Sequence, residues 1–371
     1  MRVLHVVESA GGGVARYLSD LLPLQVADGD DVTVLYSPGR VDTMWHRTEA
    51  LLRSRGVTLV AFEMRREVGP RDLADALRLR RWVRRQAPFE IIHAHSSKAG
   101  ALVRLAFPAR RDKVYNPHAF ATMSRTIGPR KRAAYTAFER MLARSGGMTV
   151  VVSEDELAHA RGLRLPDAKL RLVTIGIPAS GTGDRAAARA ELGLSDEETV
   201  IGFVGRFWEQ KDPVGAVRAF ARFAREYTGT LVMVGYGEGT EDVRRAAADE
   251  GIEDRVRIVL DGDAPTIIPA FDVLLLTSGY ESFGYVLLEA VVNGVPCVST
   301  PVGIAPALAR SGAARLFEIG DTEAAAAALV QTLGSGSAAT RAETARTAAE
   351  AFSDTAMHQG VRRVYEELKR R

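Results

Sequence analysis

The sequence predicts an α/β protein made of two Rossmann-like domains, and three observations carry that expectation. Short apolar runs rich in β-branched residues alternate with longer stretches of helical periodicity along the chain. Runs of this kind, apolar throughout rather than alternating, belong to parallel sheets covered by helices on both faces. The rhythm stops once, at the Gly/Pro/Ser-rich stretch GIPASGTG (176–183), and then resumes, and 371 residues suit two domains.

In the first half, Val3–Val7, Val32–Tyr36, Ile91–Ala94, Lys113–Asn116 and Thr149–Val152 are expected as strands, with Leu170–Thr174 closing the series. Between them, Val14–Ala27 and Pro70–Gln86 have the length and period of helices. In the second half, Val200–Val204, Thr230–Val234, Val256–Leu260, Val273–Thr277 and Pro296–Ser299 repeat the pattern. Ala324–Ala351 is alanine-rich and helical around a GSGS loop at Gly334–Ser337. The end, Ala356–Arg371, is a helix with Val361, Val364, Tyr365 and Leu368 on one face.

Composition excludes several classes. Apolar residues make up 46% and charged residues 26%, enough for buried cores and far from a disordered chain. No stretch approaches the roughly 18 consecutive apolar residues of a membrane span. The N-terminal MRVLHVVESAGGG is interrupted by Glu8 too early for a secretory signal. The single cysteine, Cys297, rules out an internal disulfide, so the chain is expected to be cytosolic and soluble. Charge is divided: residues 1–180 hold 29 Lys and Arg against 18 Asp and Glu, a net of +11, while the remainder is −8. A basic half suits an anionic lipid, nucleic acid or phosphorylated substrate, or simply solvated helix faces.

The candidate chemistry sits just past expected strands. Gly11, Gly12 and Gly13 separate the first strand from its helix, where backbone N–H groups can approach an anion. The run lacks G-x-G-x-x-G spacing and the acidic partner of a nicotinamide site. Gly202 and Gly205 frame the next such point, with Arg206 and Lys211 following, placed for phosphate beyond a strand's carboxyl end. Glu281 and Glu289 stand eight positions apart, with a helix expected near Phe283 whose early N–H groups, at Phe283, Gly284 and Tyr285, face an anion. His93 and His95 share one strand face, but no third ligand accompanies them at a metal-site spacing. His118 follows another strand, and His5 inside the first strand is expected to be structural.

Together these segments resemble the retaining glycosyltransferases of family 4, with the two-domain GT-B fold facing across a cleft. The likeness is carried by GGGVARYL (11–18), HAHSSKAG (93–100), NPHAF (116–120), GFVGRFWEQKD (202–212), MVGYGEG (233–239) and ESFGYVLLEAVVNGVPCVST (281–300). The resemblance implies domains at 1–178, joined by the helix 356–371, and at 179–355. It implies a catalytic set of His118, Arg206, Lys211 and Glu281. Gly12, Gly13, Gly205, Ser282, Phe283, Gly284 and Glu289 would bind the donor, with Glu289 on the ribose. His95 and Lys98 would line the acceptor side. The family works without an Asp-x-Asp metal motif, so the resemblance implies no metal and no cofactor.

Two departures stand out. The family's Asn-Gly-x-Asp near the domain junction is Ile175-Gly176-Ile177-Pro178, and its Gly-Gly-x-x-Glu segment is Gly303-Ile304-Ala305-Pro306-Ala307, without an acid. The HAHSSKAG segment is similar to enzymes building bacterial envelope polysaccharides and lipid-linked saccharides, often from UDP-sugars. The implied partners are a nucleotide-sugar donor, a saccharide or lipid-linked acceptor and an anionic membrane surface, with no nucleic acid. The membrane contact would fall to RLRRWVRR (78–85) and GPRKR (128–132). The rival readings are a secondary-metabolite acceptor, a sugar-nucleotide epimerase of the same architecture, and a non-catalytic nucleotide-sugar-binding module.

Overall fold

The computed structural model describes every residue except 66–68, 70, 179–182, 261 and 371, and every side chain among the described residues except those of Thr43 and Ala338. Pro70 at the expected start of one helix, Arg371 at the end of the last, and 179–182 of the GIPASGTG stretch therefore lie outside the described residues. The chain divides into two compact units, Met1–Pro178 with Phe352–Arg371, and Ala179–Ala351.

The first unit holds seven parallel strands: β1 (Arg2–Val7), β2 (Asp31–Tyr36), β3 (Thr58–Ala61), β4 (Ile91–His95), β5 (Lys113–Asn116), β6 (Met148–Val151) and β7 (Leu170–Leu172). They lie in the order β3-β2-β1-β4-β5-β6-β7. Strand order reverses between β1 and β4, which run side by side with His5 opposite His93. β4 and β5 are buried at every position, which accounts for their continuous apolar character in the sequence.

The last helix, Asp354–Arg370, belongs to this first unit. Val361, Val364, Tyr365 and Leu368 are all buried, and Arg362 meets Asp30 at 2.6 Å. Its entry is paired to the strand-like segment at Ile177, whose N–H donates to the Phe352 carbonyl at 2.9 Å. A Cβ on Gly176 would lie 1.9 Å from the Ser353 carbonyl oxygen, so glycine is required there by the close passage of the returning chain.

The second unit holds β8 (Val200–Val204), β9 (Thr230–Val234), β10 (Val256–Val259), β11 (Val273–Leu276), β12 (Cys297–Ser299) and β13 (Ala314–Leu316). The order is β10-β9-β8-β11-β12-β13, again parallel, with the reversal between β8 and β11. Phe203, Phe207, Phe220, Leu275 and Leu329 pack together in its core. Gly202 fits the same logic, because a Cβ there would lie 2.0 Å from the Phe271 ring. The alanine-rich stretch forms two helices, Thr322–Leu333 and Ala338–Ala351, on either side of the GSGS loop. No helix among the described residues is long and apolar enough to cross a membrane.

Candidate functional site

In an open parallel sheet, ligands bind beyond the carboxyl ends of the strands where strand order reverses. The second unit places Arg206 and Lys211 after β8 and Glu281 after β11, on either side of that point. Lys211 Nζ lies 2.6 Å from Glu281 Oε1, which also accepts the Ser278 hydroxyl at 2.8 Å. The Lys211 stem crosses the face of Gly205, where a Cβ would approach it to 3.2 Å. The two loops are tied by backbone: Gly279 N–H donates to the Gln210 carbonyl at 2.8 Å, and the Thr277 hydroxyl to the Asp212 carbonyl at 2.7 Å. Lys211 and Glu281 thus neutralise one another in a largely buried pair.

Arg206 is exposed, with its guanidinium 4.4 Å from the centre of the Trp208 ring and no ion pair among the described residues. The stack holds a cation in place without consuming its donors. The helix expected near Phe283 begins at Tyr285 and runs to Val292. Gly284 delays it: at φ 89° it occupies the left-handed region as N-cap and brings no side-chain acceptor to the helix start. Phe283 is buried, Ser282 is half-buried, and Glu289 is half-buried two turns from Glu281. Ile304 N–H donates to the Phe283 carbonyl at 2.7 Å, and Gly303, at φ 56°, leaves room for that carbonyl where a Cβ would lie 2.3 Å away. The segment that lacks the family's acidic residue therefore still holds the Ser282–Gly284 loop by backbone.

In the first unit the glycine loop already carries an acid. Gly12 N–H donates to Asp42 Oδ2 at 2.8 Å, and the same carboxylate caps the helix Thr43–Ser54 at Trp45 N–H. Gly12 stands at φ 50° and Gly13 is exposed. His95 and Lys98, expected to line an acceptor surface, are both buried: His95 is fully enclosed between His5 and His118, and Lys98 is ion-paired to Asp72. Neither side chain faces solvent in this structure, because β4 and the helix after it, Ser97–Ala106, point them inward.

His118 sits past the end of β5, half-buried, with its Nε2 3.0 Å from His95 Nδ1 and Tyr17 edge-on at 4.8 Å. His118 and Ala119 both take positive φ, 48° and 80°, which costs non-glycine residues about 1–3 kcal/mol each. The buried Glu156 carboxylate holds this turn, accepting Ala119 N–H at 2.8 Å and Val152 N–H at 2.9 Å. Burial pushes the Glu156 carboxyl up to about 7 despite those two hydrogen bonds. The sequence reading missed Glu156, although Ser153-Glu154-Asp155-Glu156 has the spacing of a helix capping box and Glu156 N–H does donate to Ser153 Oγ at 3.1 Å.

The topology also brings His5 beside His93 and His95, so their ring nitrogens fall within 4.8 Å of one another. A metal lies in the plane of each imidazole that binds it. Here the His93 and His95 rings stack face to face at 4.2 Å and 27°, so their lone pairs run side by side, and His5 Nδ1 points at His95 Nε2 only 2.9 Å away, a separation filled by a hydrogen bond, so the three rings do not converge on an ion.

Residues 184–350 match the family model for glycosyl transferases group 1, and residues 12–176 match the glycosyl transferase 4-like domain. The chain belongs to the family 4 glycosyltransferases. Among curated relatives of this family 4 chain, the N-acetyl-alpha-D-glucosaminyl L-malate synthase of Bacillus anthracis is 34% identical over 152 residues, 40% of each chain. The D-inositol 3-phosphate glycosyltransferase of Mycobacterium tuberculosis is 31% identical over 246 residues, 60% of this chain and 49% of the relative. The matches thus span less than half the length of either relative. Among solved structures, sucrose-phosphate synthase from Thermosynechococcus elongatus aligns with a TM-score of 0.80 at 19% identity, over 99% of both chains. The Anabaena HepE protein in complex with UDP aligns with a TM-score of 0.80 at 20% identity, over 99% of this chain and 100% of that one. These likenesses give the family 4 chain the GT-B fold: two parallel-sheet Rossmann-like halves.

Proposed function

We propose that this protein is a retaining, metal-independent glycosyltransferase that moves a hexose or N-acetylhexosamine from a UDP-sugar to a saccharide or lipid-linked acceptor of the cell envelope. The observation that carries this reading is the arrangement at the reversal of the second sheet. An uncommitted guanidinium (Arg206) and an ammonium paired with Glu281 (Lys211) follow β8, and the helix Tyr285–Val292, whose N-cap is Gly284, follows β11, at the sheet edge where a diphosphate would bind. As the anomeric C–O bond breaks, its electron pair passes to the phosphate oxygen, and fixed cations stabilise that charge. The acceptor oxygen bonds to the anomeric carbon on the same face, and its proton passes to the departing phosphate. Glu289 takes the ribose hydroxyls, Glu281 and the Ser282–Gly284 backbone the donor sugar, and His118 a sugar hydroxyl. UDP is favoured by the HAHSSKAG subgroup resemblance and by the UDP complex of HepE.

A thermal-shift panel of nucleotide sugars, with and without EDTA, tests the donor assignment. One UDP-sugar should raise the melting temperature selectively and be indifferent to EDTA. Selectivity for a GDP- or ADP-sugar would overturn the nucleotide, and an EDTA-sensitive shift would overturn metal independence.

The proposed lipid-linked acceptor brings with it a membrane-facing surface on the helix Arg71–Arg84. Leu73 and Leu77 are 61% and 51% exposed there, followed by exposed Arg81, Arg84 and Arg85. Replacing Arg80, Arg81, Arg84 and Arg85 with Gln should weaken binding to anionic vesicles in a sedimentation assay, most visibly at low salt. Unchanged binding would make these charges a solvated helix face.

A further inference from the structure

Buried polar groups of the first unit line up in one hydrogen-bonded file whose outer end is His118. Gln25 Nε2–H donates to Tyr365 Oη at 3.3 Å, and Gln25 Oε1 lies 3.0 Å from His5 Nε2. His5 Nδ1 is 2.9 Å from His95 Nε2, and His95 Nδ1 is 3.0 Å from His118 Nε2. Gln25, His5 and His95 are at most 1% exposed, so the file and not solvent satisfies these nitrogens. His118 Nδ1 has no protein partner among the described residues and is not sealed from solvent.

A neutral imidazole has one N–H and one lone pair, so the proton position on one ring dictates that on the next. Burial pushes the His5 imidazolium down to about 4 and His118 to about 3, and holds His95 well below the usual range, so all three rings are neutral near pH 7. The direction is set at the inner end. The Gln25 carbonyl oxygen can only accept, so His5 carries its proton on Nε2 and accepts at Nδ1 from His95 Nε2–H. His95 Nδ1 in turn accepts from His118 Nε2–H, and the lone pair of His118 emerges on Nδ1. Stacking of His93 on His95 and the edge of Tyr17 against His118 keep the ring planes in place.

We propose that Gln25, His5 and His95 are positioning residues that lock His118 in its Nε2–H tautomer, so that Nδ1 accepts a hydrogen bond from a hydroxyl of the bound sugar. The catalytic consequence rests on the sugar-side role given to His118 above. A neutral acceptor suits that place. An imidazolium would repel the positive charge developing on the sugar, and the opposite tautomer would present an N–H where the lone pair is needed.

Two-bond proton–nitrogen correlation spectra of the ¹⁵N-histidine-labelled full chain, recorded near neutral pH without donor, read the tautomers directly. The expected result is Nε2–H at His5, His95 and His118. His5→Leu should release His118 into a tautomer mixture, and His5→Gln, whose amide offers an NH₂ to donate to Gln25 and a carbonyl to accept from His95, should restore it. In transfer assays, His5→Leu should lower kcat by about 10-fold, the lower end of the scale for partners that orient a working imidazole, with the donor KM unchanged. His5→Gln should recover most of that loss. A proton on Nδ1 of His118 in the wild type, or a His118 tautomer indifferent to His5→Leu, would overturn the lock. Should His5→Leu fail to fold, Gln25→Met breaks the file one step further in and serves the same comparison. The spectra need no donor, so absent transfer with the expected tautomers counts against the proposed function alone, and wrong tautomers in an active enzyme against the lock alone.

Discussion

Lys211→Ala is expected to lower sugar transfer by at least about 100-fold, the scale on which removing one transition-state charge stabiliser acts. The side chain has two duties that the variant removes together. It supplies a cation at the reversal of the second sheet, and it neutralises Glu281, which is 6% exposed and 2.6 Å away. Removing one partner of such a buried pair leaves the other charge without its counterion, at a cost of about 3–5 kcal/mol in stability. Activity alone therefore cannot separate chemistry from folding. The double variant Lys211→Met, Glu281→Gln removes both charges, and its melting temperature should return toward that of the wild type while transfer stays low. Recovery of both stability and transfer would make the pair structural, and wild-type turnover in Lys211→Ala would remove Lys211 from the diphosphate site.

The parts of this site that were legible in the sequence share one physical feature: each follows a strand buried on both faces. β8 and β9 run between the residues their apolar patterns predict, and Arg206 and Lys211 could be placed at the end of β8. β3 and β13 were not read from the sequence. They are edge strands of four and three residues; β13 is broken by exposed Arg315, whereas β3 lies in the apolar run Val57–Phe62, whose pattern did mark it. The adjacency of β8 and β11, which brings Lys211 to Glu281, is a property of sheet order and not of any local pattern. The same holds for His5, which reads as an isolated strand histidine until β1 and β4 pair and set it opposite His93. Asp42 and Glu156 were missed for a related reason. Both look like ordinary helix-start acids, and only the fold shows that each also holds a backbone N–H from a distant loop, Gly12 in one case and Ala119 in the other.

For Glu156 that second duty has a measurable consequence in pH. Its carboxyl is raised from the ordinary 4.5 to about 7, chiefly by burial, so the folded protein holds this proton more tightly than the unfolded chain. Stability contributed by the group is therefore greatest in acid and declines as pH rises from about 4.5 to about 7, by about 3 kcal/mol for a shift of this size. Activity should move the other way. Only the ionised carboxylate offers an unprotonated oxygen to both Val152 and Ala119, so acidification below about 7 frees one N–H and loosens the strained turn that presents His118. Glu156→Gln keeps the shape but turns an amide NH₂ toward one of those donors, at a cost of about 1–3 kcal/mol. Denaturant titrations across this pH range should show the wild-type slope in stability, and the slope should be absent in the variant. Transfer by Glu156→Gln should fall by about 100-fold, as expected when a reacting group is misplaced by about an ångström. The wild-type acid limb near pH 7 should vanish from the variant's profile, whereas an acid limb that survives the substitution would assign the titration to another group.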